Sequence, residues 1–247
     1  MVPELKKLLI IGAGGFGREV AWLVERINRS NATWELLGFL DDNTNLYHHS
    51  INRYPVLGTV NDAIHYPDAF FVCAIGAASV RQKVIHKLLE INPNAKFGTL
   101  VDPSAEMSDD NQIGEGTIIC AHSILTVNIC IGRHVIVNLD CTIGHDVVLE
   151  DFVTVCPGVN ISGNVHIGEV SELGTGVKII PGKTVGRHSI VGVGAVVVYD
   201  IPEDCVAVGM PARPVKPTLS GGLMANGLRL IDEGREGPAP AGTAFNA

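Results

Sequence analysis

Residues 142–167, TIGHDVVLEDFVTVCPGVNISGNVHI, carry an apolar residue at every sixth position. The spacing continues in both directions without an insertion. The seventeen apolar positions are Val101, Met107, Ile113, Ile119, Leu125, Ile131, Val137, Ile143, Leu149, Val155, Ile161, Ile167, Leu173, Ile179, Val185, Val191 and Val197. A period of six fits neither a helix, which repeats every 3.6 residues, nor one long alternating strand. It predicts a solenoid of short strands joined by tight corners, with the repeated side chain pointing to the axis.

The composition narrows the class of protein. With 247 residues the chain is long enough for two cores, and its net charge of −8 argues against a broad nucleic-acid or anionic-membrane surface. No apolar run approaches a membrane span, and the first ten residues leave no room for a signal peptide before a glycine-rich motif. The six cysteines show no metal-ligand spacing, so we expect free thiols in a cytoplasmic protein.

The segment before the repeat predicts an α/β domain. Residues 7–27, KLLIIGAGGFGREVAWLVERI, read as a buried strand, a glycine turn and an amphipathic helix. Two more strands are evident, WELLGFLDD at 34–42 and AFFVCAIG at 69–76, and a helix follows the second of them. Strands that alternate with helices favour a small Rossmann-like parallel sheet.

The glycine turn is a candidate nucleotide site. Gly12, Gly14 and Gly17 fit G-x-G-x-x-G, which lets a phosphate approach the backbone at a helix N-terminus. Asp41 and Asp42 end the second strand, where they would meet a ribose or sugar hydroxyl; a solvated turn is the alternative. The full predicted substrate-binding set is Gly12, Gly14, Gly15, Phe16, Gly17, Asp41, Asp42 and Gly76. Because a dinucleotide fold usually has six strands and only three are evident here, a nucleotide or nucleotide sugar is favoured over a nicotinamide.

The hexads resemble those of the hexapeptide-repeat acyltransferases. That resemblance implies an all-β left-handed parallel β-helix with three hexads per coil, hence between five and six coils here. The segment AVGMPARPVK, 207–216, resembles the closing motif of the same family. We therefore expect an α/β domain at 1–100, a β-helix domain with its closing segment at 101–217, and a flexible tail at 218–247, where the period is lost.

The order of motifs resembles more closely a family of bacterial sugar acyltransferases. IIGAGGFGREVA, GFLDD, AIGAASVRQKV, DPSAEMS, the quoted stretch and VGMPARPV occur in that order between residues 8 and 216. The family includes sialic-acid O-acetyltransferase-like proteins and N-acetyltransferases acting on amino-dideoxy nucleotide sugars. The resemblance implies acetyl-CoA as co-substrate, a nucleotide-activated sugar as acceptor, and a homotrimer that holds the cofactor between neighbouring β-helices.

The pair His145–Asp146 interrupts an otherwise structural stretch. The resemblance assigns His145 as general base and the acidic residue after it, Asp146, as its partner. An imidazole can accept the proton that a nucleophile loses as it attacks a thioester, and a carboxylate can orient that imidazole. No serine or cysteine occupies a nucleophile motif, so direct transfer in a ternary complex is favoured. The alternative is an exposed corner histidine, which we expect of His122, His134 and His188.

A coil of eighteen residues places Gly163 beside His145, one strand spacing or about 4.8 Å away. Its N–H would then be open to donate to the thioester oxygen as negative charge develops. Asn138 matches an asparagine that family members place near the active site, but it fits a polar ladder of the repeat equally well. The predicted cofactor-binding set is Asn138, Thr154, Gly163 and Gly176.

Four alternatives compete with sugar N-acetylation. The same machinery would serve O-acetylation of sialic acid or another sugar hydroxyl. A β-helical zinc hydratase needs two histidines five residues apart, a spacing absent from the sequence, and we expect no metal. A nicotinamide-dependent oxidoreductase would leave the hexads without a purpose. A non-catalytic scaffold would be favoured if His145 proved dispensable.

Overall fold

The computed structural model describes residues 5–218, so all but the first residue of the predicted tail, 218–247, lies outside the described residues. Two 3-10 helices, Thr44–Leu46 and Val60–His65, interrupt the loops of the N-terminal part. The strands and helices of this part are β1 (Lys6–Ile11), α1 (Gly15–Ser30), β2 (Trp34–Leu40), β3 (Ser50–Ile51), β4 (Tyr54–Gly58), β5 (Phe70–Cys73), α2 (Ala78–Ile91) and β6 (Lys96–Phe97).

The N-terminal sheet has the order β3-β4-β2-β1-β5-β6, and all its pairs are parallel except β3 with β4. The predicted α/β domain is confirmed, but with six strands rather than three. The additional strands were missed because β3 and β6 have only two residues each and β4 contains Pro55, which disfavours a strand in a sequence pattern. The chain moves from β1 to β2 on one side and later to β5 on the other, so the strand order reverses at β1.

The repeat folds as the predicted parallel β-helix. Each of the seventeen predicted apolar positions is the second residue of a two-residue strand. Strands pair with partners eighteen residues away, for example Thr142 with Asn160, so one coil contains three hexads. The strands β7 to β23 are Leu100–Val101, Glu106–Met107, Gln112–Ile113, Ile118–Ile119, Ile124–Leu125, Cys130–Ile131, Ile136–Val137, Thr142–Ile143, Val148–Leu149, Thr154–Val155, Asn160–Ile161, His166–Ile167, Glu172–Leu173, Lys178–Ile179, Thr184–Val185, Ile190–Val191 and Val196–Val197.

Three sheets form the sides of a triangular solenoid. Sheet 1 contains β7, β10, β13, β16, β19 and β22, and β24 (Cys205–Val208) and β25 (Arg213–Pro217) extend it. Sheet 2 contains β8, β11, β14, β17, β20 and β23, and sheet 3 contains β9, β12, β15, β18 and β21. The inward side chains of all three sheets form one apolar cluster along the axis.

The corners of the β-helix use left-handed backbone conformations. If the inward apolar residue is counted as the first position of each hexad, the fourth position has a positive φ in every hexad from residue 116 to residue 194. Phe152 (φ 60°) and Val170 (φ 59°) are bulky residues that this region disfavours, and both are buried against the N-terminal domain. Packing between the domains therefore compensates for strain at these two corners.

One corner histidine departs from its predicted exposure. His122 is exposed, but His134 is only 4% exposed, with its ring stacked on Phe152 and edge-on to Phe97. Burial lowers the pKa of His134 to about 4, so its imidazole is uncharged at neutral pH. The expectation that His134 is an exposed corner residue was wrong, because its corner faces the N-terminal domain.

The N-terminal domain packs on the outer face of sheet 1. Leu100, Ile118 and Ile136 are outward residues of this sheet, and they form one buried cluster with Val20 and Val24 of α1. These three side chains recur every eighteen residues, one per coil. A period of eighteen within the hexads was the signal that could have identified the covered face.

A buried arginine joins the two domains. Arg81 of α2 is 1% exposed, and its guanidinium makes six hydrogen bonds. Four of the acceptors belong to the β-helix, namely the carbonyls of His134, Phe152 and Val153 and the Thr154 hydroxyl. Burial lowers the pKa of Arg81 to about 10, which still leaves it charged at neutral pH.

A second arginine holds α1 to the first coil. Arg26 donates two hydrogen bonds to Asp102, at 2.6 and 2.9 Å, and Ser104 donates from both its amide and its hydroxyl. Asp102 is 2% exposed, and although burial opposes ionisation, the hydrogen bonds from Arg26 and Ser104 lower its pKa to about 2.

All six cysteines are free, in agreement with the sequence analysis; Cys130 is the exposed one. Within residues 5–218, none of the helices combines the length and apolar character that crossing a bilayer requires.

The depressed pKa of Asp102 predicts a defined pH dependence of stability. A carboxylate with a lowered folded-state pKa stabilises the protein above pH 4, and this contribution disappears as the pH falls towards 2. We expect Asp102→Asn to be less stable than wild type by about 2 kcal/mol at pH 6, with the difference shrinking to near zero at pH 2. Urea unfolding across this range measures both proteins. A difference that stays constant with pH would contradict the assignment.

Candidate active site

A cleft of about 530 Å³ opens at the carboxyl ends of the N-terminal strands. It lies where the strand order reverses, the position at which open parallel sheets bind ligands. Loops after β1, β2 and β5 and one face of α2 form its walls. The lining residues are Ile11, Gly12, Gly14, Gly15, Phe16, Leu40, Asp41, Asp42, Val60, Ala74, Ile75, Gly76, Val80 and Val84.

The structure brings seven of the eight predicted substrate-binding residues into this cleft. A Cβ added at Gly14 or Gly76 would meet open space. Gly17 lies beneath the loop instead. It packs so closely there that an added Cβ would overlap the Gly12 carbonyl oxygen. Helix α1 has no acidic residue in its first turn, so its N-terminus offers unneutralised N–H groups to an anion.

The two aspartates have distinct partners. Asp41 accepts hydrogen bonds from the Ala13 and Asn43 amides, both at 2.8 Å, and so braces the glycine loop. Asp42 accepts from the Val60 amide and forms an ion pair with Lys87 of α2 at 2.9 Å. Partial burial opposes ionisation of Asp42, but these donors lower its pKa. Lys87 was not singled out from the sequence, because α2 alone gives no indication that its side chain reaches the cleft rim.

His145 and Asp146 lie at the corner between sheets 2 and 3. Asp146 Oδ2 is 2.7 Å from His145 Nδ1, and both side chains are about half exposed. Asn128, one coil earlier, donates to the other carboxylate oxygen at 3.3 Å. The hydrogen bond with His145, followed by that from Asn128, lowers the pKa of Asp146. Asn128 was missed, although its separation of eighteen residues from Asp146 could have identified it.

Gly163 lies directly beneath the His145 ring. A Cβ at this position would fall 2.4 Å from both Cε1 and Nε2 of the imidazole. The Asn164 amide donates to the His145 carbonyl at 2.9 Å, which confirms the eighteen-residue register at this corner. Absence of a side chain at residue 163 therefore provides the space that the imidazole occupies.

The other predicted cofactor-binding residues lie elsewhere on the solenoid. Thr154 is an outward residue of sheet 1, and its hydroxyl donates to the Gly76 carbonyl at 2.7 Å. Asn138 and Gly176 lie at the corner between sheets 1 and 2, where Asn138 Oδ1 accepts from the Leu139 amide. Gly176 has a φ of 74°, and a Cβ there would meet open space.

The candidate residues thus form two groups on opposite sides of the β-helix. The first group comprises the cleft together with sheet 1 and its corner with sheet 2. The second comprises His145, Asp146 and Gly163, at the corner opposite sheet 1. The apolar core of the solenoid separates them by a distance on the order of 15 Å, since each side of the triangle contains six residues.

Within the described range 5–218, no cluster of three or more histidine, cysteine or acidic side chains is arranged to hold a metal ion.

Comparisons with known proteins match the N-terminal part to a family and most of the chain to a relative. Residues 7–88 match the family described as the PglD N-terminal domain. The GDP-perosamine N-acetyltransferase of Escherichia coli O157:H7 is 31% identical over 218 residues, which cover 84% of this chain and 95% of that protein.

Solved structures give the same result. The acetyltransferase domain of PglB from Neisseria gonorrhoeae FA1090, in complex with acetyl coenzyme A, is 34% identical with a TM-score of 0.78 and covers 86% of this chain and 100% of its own. A second structure is a histidine-to-asparagine variant of perosamine N-acetyltransferase from Caulobacter crescentus, in complex with CoA and GDP-perosamine. It is 27% identical with a TM-score of 0.75, and the match covers 86% of this chain and 98% of that one. The resemblance inferred from the motifs is confirmed. The chain belongs to the family of hexapeptide-repeat sugar N-acetyltransferases.

Proposed function

We propose that the protein transfers the acetyl group of acetyl-CoA to the amine of a nucleotide-linked amino-dideoxy sugar, with His145 as general base. The observation that carries this proposal is the exposed His145–Asp146 pair, fixed over Gly163 in a chain that aligns along nearly the whole length of a GDP-perosamine N-acetyltransferase. GDP-perosamine is accordingly the first acceptor to test. Six free cysteines suit a reducing compartment, so we place the reaction in the cytoplasm.

The arrangement at His145 suits proton removal. Asp146 binds Nδ1, which leaves Nε2 as the nitrogen available to the acceptor. As the sugar amine attacks the thioester carbonyl, Nε2 takes its proton, the carbon–sulfur bond breaks, and the departing CoA thiolate takes that proton from the imidazolium. Asp146 stabilises the imidazolium formed in between. The products are an N-acetyl sugar nucleotide and CoA.

Developing negative charge on the thioester oxygen needs a donor. The Gly163 amide has no protein acceptor within residues 5–218 and lies one strand away from the base. We assign this N–H to the oxyanion, and Asn138 and Gly176 to the groove that receives acetyl-CoA and the acceptor. Thr154, the fourth residue of the predicted cofactor-binding set, is only 4% exposed with its hydroxyl bonded to Gly76 and Arg81, so we assign it to the wall behind this groove and to no contact with acetyl-CoA.

The separation of the two groups of residues supports a homotrimer. A sugar bound in the cleft of one subunit faces sheet 1, whereas His145 of that subunit lies at the opposite corner. A cyclic arrangement that sets this corner against the sheet 1 side of a neighbour brings the cleft and the base together. Each complete site would then contain the cleft of one subunit and His145 of the next.

Replacement of the base tests the mechanism. We expect His145→Ala to reduce acetyl-CoA-dependent thiol release by at least a hundredfold with its amino-sugar nucleotide, because the amine loses its proton acceptor. His166→Ala is the matched control, since His166 also contacts a carboxylate, Glu150 at 2.7 Å, on sheet 3. The assay compares UDP-, dTDP- and GDP-linked 4-amino sugars with free sialic acid. Turnover of sialic acid alone would favour O-acetylation. Equal activity of the His145→Ala and His166→Ala variants would refute the assignment of His145 as general base.

A methyl group at residue 163 tests the position of the imidazole. Gly163→Ala places a Cβ where the His145 ring now lies, so the ring must move while the fold is retained. We expect kcat to fall by about tenfold to a hundredfold with a change in melting temperature of a few degrees. Wild-type kcat in Gly163→Ala would show that the ring position is not required.

Mixed oligomers test whether sites are shared between subunits. Gly14→Val blocks the cleft and His145→Ala removes the base, so each homo-oligomer should be inactive. In a cyclic trimer containing both variants, one site combines an intact cleft with an intact base. Co-expression in equal amounts should therefore restore about a quarter of the wild-type rate. No recovery in purified mixed trimers, or a monomer in light scattering, would refute the shared site.

A further inference from the structure

Two side chains outside the cleft orient the part of its wall that Ile75 and Gly76 form. Arg81 Nη1 donates to the Ile75 carbonyl at 2.6 Å and to the Gly76 carbonyl at 3.0 Å. Thr154 Oγ1 donates to the same Gly76 oxygen at 2.7 Å. Arg81 Nη2 in turn donates to Thr154 Oγ1 at 2.9 Å, so the two side chains form one network.

Peptide geometry fixes where the amides point. In a trans peptide the C=O and the following N–H point in opposite directions. With the Ile75 and Gly76 carbonyls directed at Arg81, the Gly76 and Ala77 N–H groups point the other way, towards the cleft that Ile75 and Gly76 line. Neither amide has a protein acceptor in the described part of the chain. The next amide, of Ala78, already donates to Glu172 at 2.7 Å.

We propose that Arg81 and Thr154 are positioning residues, which hold the Gly76 and Ala77 amides ready to bind the diphosphate of the nucleotide sugar. The Gly76 and Ala77 amides would bind the diphosphate from the side opposite the Gly12–Gly17 loop. This inference rests on the proposed function, because it assumes that the cleft receives a nucleoside diphosphate group.

Arginine suits this position better than any other residue. Its planar fork serves carbonyls of the cleft wall and of the β-helix at the same time, a pattern that a lysine ammonium cannot reproduce. The bonds to Thr154 and the Phe152 carbonyl also tie the wall to sheet 1 and its corner. The cleft wall is thus fixed relative to the β-helix by the same two side chains that orient its amides.

The direct test is binding of GDP, UDP and dTDP by calorimetry, which requires no turnover. For the nucleoside diphosphate that wild type binds best, we expect Thr154→Val to weaken binding about fivefold to tenfold, since one donor to Gly76 is lost. Thr154→Ser keeps the hydroxyl and should bind as wild type does.

Arg81→Lys and Arg26→Met separate positioning from stability. Both remove an anchor between the domains, but Arg26 does not contact the cleft. We expect both variants to have a lower melting temperature than wild type. Only Arg81→Lys should weaken nucleoside diphosphate binding, by more than tenfold. It should also raise KM for the sugar nucleotide and leave KM for acetyl-CoA unchanged. Equal binding by Thr154→Val, Arg81→Lys and wild type would overturn the positioning role. Wild type that binds none of the three nucleotides would overturn the proposed function of the cleft itself.

Discussion

A fully buried guanidinium at the junction of two domains determines the geometry of this protein. Arg81 carries a charge into a region without solvent, and its partners are neutral oxygens from both domains. Removing it would leave these oxygens unpaired around a cavity, so no small side chain can replace it cheaply. Because three of the acceptors are backbone carbonyls of the β-helix and two belong to the wall of the cleft, Arg81 fixes the side of the solenoid on which the glycine-rich cleft lies.

The β-helix contributes rigidity rather than a pocket. His145 is exposed, yet its ring is bounded by Gly163 below and by Asp146 at the side, and Asn128 holds Asp146. Each of these residues belongs to a corner whose backbone is tied to the coils before and after it. An imidazole held in this way needs little reorganisation when it accepts a proton, which is the condition for efficient general-base catalysis.

The sequence predicted the regular part of the fold well and the junction poorly. Seventeen apolar positions determined seventeen strands, because a repeated inward side chain reports the coil directly. The glycine loop, Asp41 and Asp42 converged on one cleft because the carboxyl ends of parallel strands share an edge. Arg81 gave no such signal: in a helix it looks like a solvent-facing residue, and its β-helix acceptors lie 53 to 73 residues away. Burial of His134 was missed for the same reason, since only docking of the domains creates it.

The coil length of eighteen residues also has an evolutionary consequence. In a helix or a sheet of long strands, the neighbours of a side chain are scattered, but here each has one neighbour eighteen positions before it and another eighteen after. Residue 163 can be other than glycine only if residue 145 is no longer a ring in its present place. A descendant that lost the histidine would therefore be free to lose the glycine next, and the two losses should appear together across a lineage.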